Sequence, residues 1–428
     1  MKRNIINDLI RWKTEDNNKP ILLTGLKGVG KTYLAYDFAK AFFEFISYIN
    51  LEHDRVFIKL TDCKNPALFR ERLVDWLHLD TSLPASSRIL ILDEIGTCNN
   101  TLDMICSCDI SDLFRYIILI SSKQLPHKPD NITELPVHPL GFDEFLIASG
   151  NDWYIEAIVN HFNSNKKIPD IVHKELLELN QLYLQTGGMP QAINEYLNMD
   201  SLINVQETHS FLIGLYRDYI SRSNSDSDAF KMLQVYDSLA SQLAKENKKF
   251  QYRLIRKGTT HSMYKEAIQS LCDNRFVIKC SRIGSEELKN PELPKSDEWQ
   301  RLDTNSSFKL YYPDCGLCNT QIKRKYGHTL DKPLAKAILE NYLASSLAAK
   351  NYSFAFWESE AMARMDFICM KEDSILPIEI FDGENTRSKN ISVLKQKSSF
   401  PYAIKISSRN FEFSNQIKYV PYYAVFCL

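Results

Sequence analysis

The sequence predicts a multidomain α/β chain, on three observations. Strand-like and helix-like runs alternate over residues 1–140, the order of a parallel sheet with helices on both faces. A glycine-rich loop lies where the first strand hands over to a helix, and from about residue 141 long helical periodicities replace the strands until strands return near the C-terminus. With 428 residues, the chain is long enough for two to four domains at roughly 100–200 residues each. Its 44% hydrophobic and 25% charged content is that of a soluble globular protein. No stretch approaches the roughly 18 uncharged apolar residues of a membrane helix, so no membrane association is expected. Met1-Lys2-Arg3 is basic, but Asn and Asp interrupt the next few residues, so no signal peptide is expected. The ten cysteines lie mostly in apolar segments, and neither Cys106-x-Cys108 nor Cys315-x-x-Cys318 has a second pair at metal-site spacing. They read as reduced thiols of a cytoplasmic protein.

In the first region (1–140), strands are expected at Ile21–Thr24, Val56–Lys59, Ile89–Leu92 and Tyr116–Ser121, with helical spacing from Tyr33 to Ile46 and from Phe69 to Leu77. The strand at 21–24 runs into Gly25-Leu-Lys-Gly-Val-Gly-Lys-Thr32, a G-x-x-x-x-G-K-T phosphate-binding loop. Gly25, Gly28 and Gly30 let the backbone curl so that N–H groups, including those of Val29 and Tyr33, face phosphate oxygens beside a positive helix N-terminus. Lys31 reaches the β- and γ-phosphates and Thr32 holds Mg²⁺. The apolar run Arg88-Ile-Leu-Ile-Leu-Asp-Glu reads as a buried parallel strand delivering Asp93 to the Mg²⁺ shell and Glu94 to an attacking water. ATP and Mg²⁺ are the expected cofactors. The strand Tyr116–Ser121 leads into Ser122, either a γ-phosphate sensor or the start of a turn.

Residues 141–224 read as a helical lid, with helices at Asp170–Leu184 and Pro190–Leu197. Between them, Gly187-Gly188-Met189-Pro190 either brings Pro190 against the nucleotide or forms a helix C-cap followed by an N1 proline. After the polar run Ser221–Ser227, a plausible linker, residues 225–327 give helices at Ala229–Leu243 and Met263–Leu271 and a strand at Phe276–Cys280, the order of a winged-helix module. The basic run 245–257 offers Lys248, Lys249, Arg253, Arg256 and Lys257, with Phe250 and Tyr252 interleaved. It is a footprint for double-stranded DNA or a solvated charged face. In residues 328–428, a helix at Lys332–Ala349 carries Glu340, and strands carry Asp366 and Glu379. Asp366 and Glu379 are candidate Mg²⁺ ligands of a restriction-endonuclease-like α/β site, or ordinary solvated acids.

The whole chain resembles AAA-type P-loop ATPases of bacteria and archaea that carry a C-terminal domain of unknown function with a PD-(D/E)XK nuclease-like fold. The resemblance rests on Lys19 to Thr32, Leu92-Asp-Glu, Pro139-Leu-Gly-Phe-Asp-Glu-Phe-Leu, Gly187-Gly-Met-Pro, Gln242 to Phe250, Phe308-Lys-Leu-Tyr-Tyr-Pro-Asp-Cys-Gly-Leu and Pro377-Ile-Glu-Ile. It implies ATP binding and hydrolysis. Family members usually carry lysine where this chain has Phe381, so either Lys389 or Lys395 projects back into the site or the nuclease-like domain is inactive and docks DNA or a partner.

Three functions fit these motifs. One is a Mg²⁺-dependent ATPase acting as a conformational switch, with Lys31, Glu94 and Ser122 as its catalytic residues and Arg115, Arg217 or Arg222 as the arginine finger, in cis or across a homo-oligomer contact. The others are an ATP-regulated DNA endonuclease and a nucleotide-binding scaffold for a protein partner.

Overall fold

The computed structural model describes residues 1–15, 19–61, 65–125, 127, 129–223, 225–285, 288, 307–359, 363–371, 374–381 and 388–428. The chain divides into two compact units, 1–138 and 139–428.

In the first unit the elements run α1 (Ile6–Thr14), β1 (Ile21–Thr24), α2 (Lys31–Phe42), β2 (Phe45–Asn50), α3 (Arg55–Thr61), α4 (Pro66–Leu77), β3 (Arg88–Asp93), α5 (Asn99–Ser107), β4 (Tyr116–Ser121) and β5 (Thr133–Pro136). The five strands are all parallel and lie in the order β2-β3-β4-β1-β5. All six residues of β3 are buried, as a continuous apolar run in the middle of a parallel sheet requires. Helices cover the sheet: Phe57 of α3, Phe69 and Leu73 of α4 and Leu102 of α5 pack with Leu90, Leu92 and Leu119 in one core.

The register positions the chemistry. Thr24 pairs with Ser121 and Leu92 with Leu119, so β1, β3 and β4 end together at one edge of the sheet. Because β4 separates β1 from β3, the residue after Ser121 stands between the loop after β1 and the acids that end β3.

One strand was expected in the wrong place. Val56–Lys59 belongs to helix α3, and the strand is Phe45–Asn50, which overlaps the end of the helical spacing expected from Tyr33 to Ile46. A three-residue apolar run, Val56 to Ile58, does not distinguish helix from strand. Asp54 decides it, since its Oδ1 accepts the Phe57 N–H at 2.9 Å and opens a helix that buries Phe57. β2 is an edge strand with only Ile49 buried, so it lacks the apolar run that marked β3.

The second unit begins with helices α6 (Phe142–Ala148), α7 (Trp153–Ser164), α8 (Asp170–Thr186), α9 (Pro190–Met199) and α10 (Leu202–Ser223), followed by α11 (Asp226–Leu243) and α12 (His261–Asp273). The polar run 221–227 is the junction of α10 and α11, where Ser225 caps the second helix; residue 224 lies outside the described residues. Strands β6 (Ile278–Ile283), β7 (Phe308–Tyr311), β8 (Phe354–Glu358), β9 (Arg364–Lys371), β10 (Ser374–Ile380), β11 (Ala403–Ser407), β12 (Glu412–Ser414) and β13 (Ile417–Pro421) form one mixed sheet in the order β12-β13-β11-β10-β9-β8-β6-β7. Helices α13 (Cys315–Tyr326), α14 (Lys332–Ala349) and α15 (Lys389–Lys395) complete it.

Of the helix, helix, helix, strand order expected of a winged-helix module in 225–327, two helices and the strand are present as α11, α12 and β6, with only a short 3₁₀ turn, Tyr252–Leu254, between the helices. The expected divide at residue 327 is not a divide between sheets, however: β6 pairs in parallel with β8, so strands from both sides of it share one sheet. Local pattern identified β6 as a strand but carried no information about a partner more than seventy residues away.

Candidate functional site

The site of the first unit is built at the shared C-terminal edge of β1, β3 and β4. Gly25 has φ +150°, and a Cβ there would lie 2.2 Å from the Val137 carbonyl oxygen, so only glycine lets the loop leave β1 this closely beside the chain after β5. Gly28 and Gly30 have φ of 90° and 92°, a conformation L side chains rarely adopt, and Gly30 N-caps α2. Val29 is fully buried under the loop, whereas the ring of Tyr33 is exposed on α2.

Lys31 is buried and folds back over the loop. Its ammonium donates to Gly25 O (2.8 Å), Leu26 O (2.9 Å) and Ser122 Oγ (2.9 Å). Ser122 in turn donates its hydroxyl to Glu94 Oε1 (2.6 Å) and its N–H to Glu94 Oε2 (3.1 Å). Ser122 therefore links the phosphate-loop lysine to the second acid of β3, the position the strand order dictates. Glu94 has φ +56°, a left-handed conformation that is strained for a non-glycine residue.

Asp93 lies alongside, 3% exposed. Its Oδ2 accepts the hydroxyls of Thr32 (2.7 Å) and Tyr48 (2.9 Å), and its Oδ1 accepts the Glu94 N–H (2.9 Å). A threonine hydroxyl that gives its proton to a carboxylate keeps its lone pairs for a cation, so Thr32 and Asp93 fit the inner and outer shells of Mg²⁺. The glycine curl and the Lys31 ammonium likewise fit a triphosphate. Tyr48 was not anticipated, because the strand that carries it was not. Burial and then its bond to Asp93 push the Tyr48 phenol up to about 12.

Of the arginines considered as fingers, Arg115 precedes β4, at the far end of a six-residue strand from Ser122, about 20 Å away. It does not reach the phosphate loop of its own sheet. Arg217 on α10 is ion-paired with Asp237 on α11, and Arg222 is exposed in the last turn of α10.

In the second unit, Pro190 stands at the first position of α9, as the helix-boundary alternative expects. The Gly187-Gly188 turn closes on two other motifs of the sequence. Gly188 donates its N–H to Asp314 Oδ2 (2.6 Å) and accepts the Leu140 N–H (2.8 Å), while Tyr183 donates to Leu140 O (2.6 Å). A Cβ on Gly187 would stand 2.3 Å from Asp314 Oδ1, and one on Gly188 2.1 Å from Leu140 O.

Two expectations for this unit need correction. Lys248 is not a surface cation: its side chain is 3% exposed and lies 3.1 Å from Glu340 Oε1. Lys249 pairs with Glu358, so Arg253, Arg256 and Lys257 remain as the exposed part of the basic run. Glu340 also receives Lys309 (3.4 Å) and Tyr311 (3.2 Å), with Lys336 at 3.9 Å. Burial pushes its carboxyl up, but Lys309, Lys248 and Lys336 outweigh burial and hold it down to about 2.

The expected metal ligands Asp366 and Glu379 sit one step beyond the β9–β10 pair Phe367↔Ile378, opposite each other across the strands. Asp366 Oδ2 accepts the Ile380 N–H (2.8 Å) and lies 3.4 Å from the Lys336 ammonium, which bridges it to Glu340. Glu379 Oε1 accepts from Asn390 (2.7 Å), and its Oε2 is buried with no hydrogen-bond partner. Among the described residues no three acids, histidines or cysteines come together as a metal-binding group. Glu340 and Asp366 converge on lysines instead, and Glu379 on Asn390, so as arranged the three do not fit a divalent cation.

The lysine sought near Phe381 is neither Lys389 nor Lys395. Lys389 is exposed at the start of α15, and Lys395 donates to Gln416 (2.9 Å). Lys405 on β11, the register partner of Glu379, lies 3.9 Å above the Phe381 ring and is 1% exposed. A lysine inside Ala-Ile-Lys-Ile-Ser was the available signal. Cys315 and Cys318 are buried on α13, and burial pushes both thiols up, as expected of unreactive cysteines.

Residues 17–146 match the family model of an AAA domain, and residues 177–326 match that of a domain of unknown function, DUF8612. The first unit thus carries an AAA domain. No curated protein matches the chain in sequence. Among solved structures, the Walker-type ATPase PABY2304 of Pyrococcus abyssi is 14% identical at TM-score 0.43, over 75% of this chain and 95% of that one. PCH-2 of C. elegans is 14% identical at TM-score 0.31, over 48% and 66%. The signal transduction ATPase with numerous domains (STAND) PH0952 of Pyrococcus horikoshii, with a tetratricopeptide repeat sensor, is 14% identical at TM-score 0.29, over 82% and 45%. No helix of the described residues is long and apolar enough to cross a membrane.

Proposed function

We propose that the chain is a Mg²⁺-dependent ATPase that works as a switch, with hydrolysis in the first unit and its readout in the second. The observation that carries this reading is the chain of contacts Lys31–Ser122–Glu94 beside Thr32–Asp93. In it, the loop N–H groups cradle the phosphates, and Lys31 exchanges its bond to Ser122 for phosphate oxygens. Ser122, relieved of Lys31, turns its hydroxyl to the γ-phosphate and releases Glu94, which then accepts a hydrogen bond from the attacking water. The water oxygen bonds to the γ-phosphorus as the bond to the bridging oxygen breaks, that electron pair leaving with ADP and the water proton passing to Glu94. Thr32 and Asp93 would hold Mg²⁺, which would supply neutralisation of phosphate charge.

In this reading the helices over 141–224 act as a lid, 225–327 as a winged-helix-like module and 328–428 as an inactive nuclease-like domain, the last two sharing one sheet. Double-stranded DNA is the partner we favour, met by Arg253, Arg256 and Lys257, in the cytoplasm. The lysines seated on Glu340 and Asp366 support inactivity. A second reading, an ATP-regulated nuclease, draws on the unpartnered Glu379 Oε2 and on Lys405; plasmid left intact with Mg²⁺ or Mn²⁺, equally by wild type and Asp366→Ala, rejects it.

The test of nucleotide binding is calorimetry with MgATP. Wild type binds and Lys31→Ala does not; equal binding by both rejects the site.

A further inference from the structure

The first residues of the chain hold a buried cation against the phosphate loop. Arg3 is 9% exposed, and its guanidinium donates from Nη1 to the Val29 carbonyl (2.9 Å) and from Nη2 to the His138 carbonyl (2.6 Å). Val29 is the residue before Gly30 in the loop, and His138 comes just after the strand that flanks β1. One planar fork therefore clips the apex of the loop to the chain leaving β5.

We propose that Arg3 is a positioning residue for nucleotide binding, setting the direction of the Gly30 N–H in the phosphate cradle; this rests on the ATPase function proposed for the first unit. No peptide bond of the described chain is cis, so the Val29 C=O and the Gly30 N–H point to opposite sides of one planar unit. Drawing the carbonyl towards Arg3 turns the N–H away from it. Glycine at 30, with φ of 92°, resists reorientation less than any other residue, so an external hold on this peptide is of consequence. The guanidinium also places a permanent positive charge behind a loop that receives a triphosphate, in a site where burial weakens screening.

The proposal separates binding from chemistry. The Arg3 fork grips two backbone carbonyls and not the side chains of Glu94 or Ser122, so its loss removes an interaction made equally in ground and transition states. Such a loss raises KM and leaves kcat in place. A residue that merely stabilises the unit lowers the melting temperature without that split.

The experiment uses the full chain with Arg3→Ala and Arg3→Lys, and Lys31→Ala as the reference that cannot bind. ATP affinity, KM, kcat and the melting temperature without nucleotide are measured for each. Arg3→Ala is expected to weaken ATP binding and raise KM about 10-fold or more, the scale of charge-assisted hydrogen bonds to a loop, with kcat within about twofold of wild type. Arg3→Lys, which keeps the charge but loses the fork, is expected to recover less than half of that loss on a logarithmic scale. Guanidinium ion at low millimolar concentration is expected to restore affinity to Arg3→Ala and not to Lys31→Ala. ATP affinity within twofold of wild type in Arg3→Ala overturns the proposal, as does a lowered melting temperature with KM unchanged. If Arg3→Ala proves unfolded, Arg3→Lys decides: wild-type affinity there overturns the fork. Failure of wild type itself to bind ATP rejects the ATPase function instead.

Discussion

The Ser122 hydroxyl donates to Glu94 Oε1 at 2.6 Å while its own oxygen accepts the Lys31 ammonium at 2.9 Å. A phosphate group that captures Lys31 therefore changes what Ser122 offers to Glu94. The three residues are far apart in the chain and meet because β4 lies between β1 and β3. Ser122→Ala breaks this link without touching the loop. ATP affinity is expected to stay within about threefold of wild type, while kcat falls about 10- to 100-fold for want of the Ser122 hydroxyl at the γ-phosphate. Steady-state kinetics check it; an unchanged kcat returns Ser122 to a plain turn residue.

Tyr48→Phe removes only the hydroxyl that shares Asp93 Oδ2 with Thr32. The Mg²⁺ concentration needed for half-maximal ATP binding is expected to rise about 3- to 10-fold, in keeping with one hydrogen bond to a charged group, with Mg²⁺-free nucleotide affinity unchanged. Calorimetry across a Mg²⁺ series measures both.

Lys248 and its neighbours in the basic run are expected to behave oppositely. Lys248→Ala leaves buried Glu340 short of a partner and is expected to cost about 3–5 kcal/mol of stability. Arg256→Ala with Lys257→Ala changes exposed side chains only, and is expected to leave the melting temperature unaltered while flattening the salt dependence of any DNA binding. Thermal melts and filter binding separate the two.

Glu340 also sets an acid limb. Its folded carboxyl is held down to about 2, below its ordinary value near 4.5, so the unfolded chain takes up the proton first as pH falls. The stabilisation is complete above about pH 4.5 and is lost as pH drops towards 2, on the order of 3 kcal/mol in all. Melting temperatures of wild type are expected to fall more steeply than those of Glu340→Gln over that window.

Gly188→Ala places a methyl group 2.1 Å from the Leu140 carbonyl and is expected to destabilise the second unit by more than about 1 kcal/mol. A melting temperature equal to wild type shows that the turn can open.

Much of the site was legible because its residues are consecutive. Gly25 to Thr32 and Asp93-Glu94 carry their geometry in their order, and the apolar run before Asp93 fixed its strand. The parts that were not legible depended on partners distant in the chain. Tyr48 was hidden by placing β2 at 56–59, since an edge strand with one buried residue has no apolar run to display. Arg3 showed only as a charge near the N-terminus, and nothing local says that its guanidinium meets Val29 and His138. Lys248 was misjudged because a charged residue was assigned to the surface by default, whereas Glu340 holds it in the interior, and Lys405 was passed over altogether, although it lies buried over the Phe381 ring.

The most direct test of the account is steady-state ATP hydrolysis with Mg²⁺, wild type beside Glu94→Gln. The account predicts turnover by wild type and a loss of orders of magnitude in the variant, with ATP binding retained. Equal turnover by the two, or none by wild type that binds ATP, would contradict it.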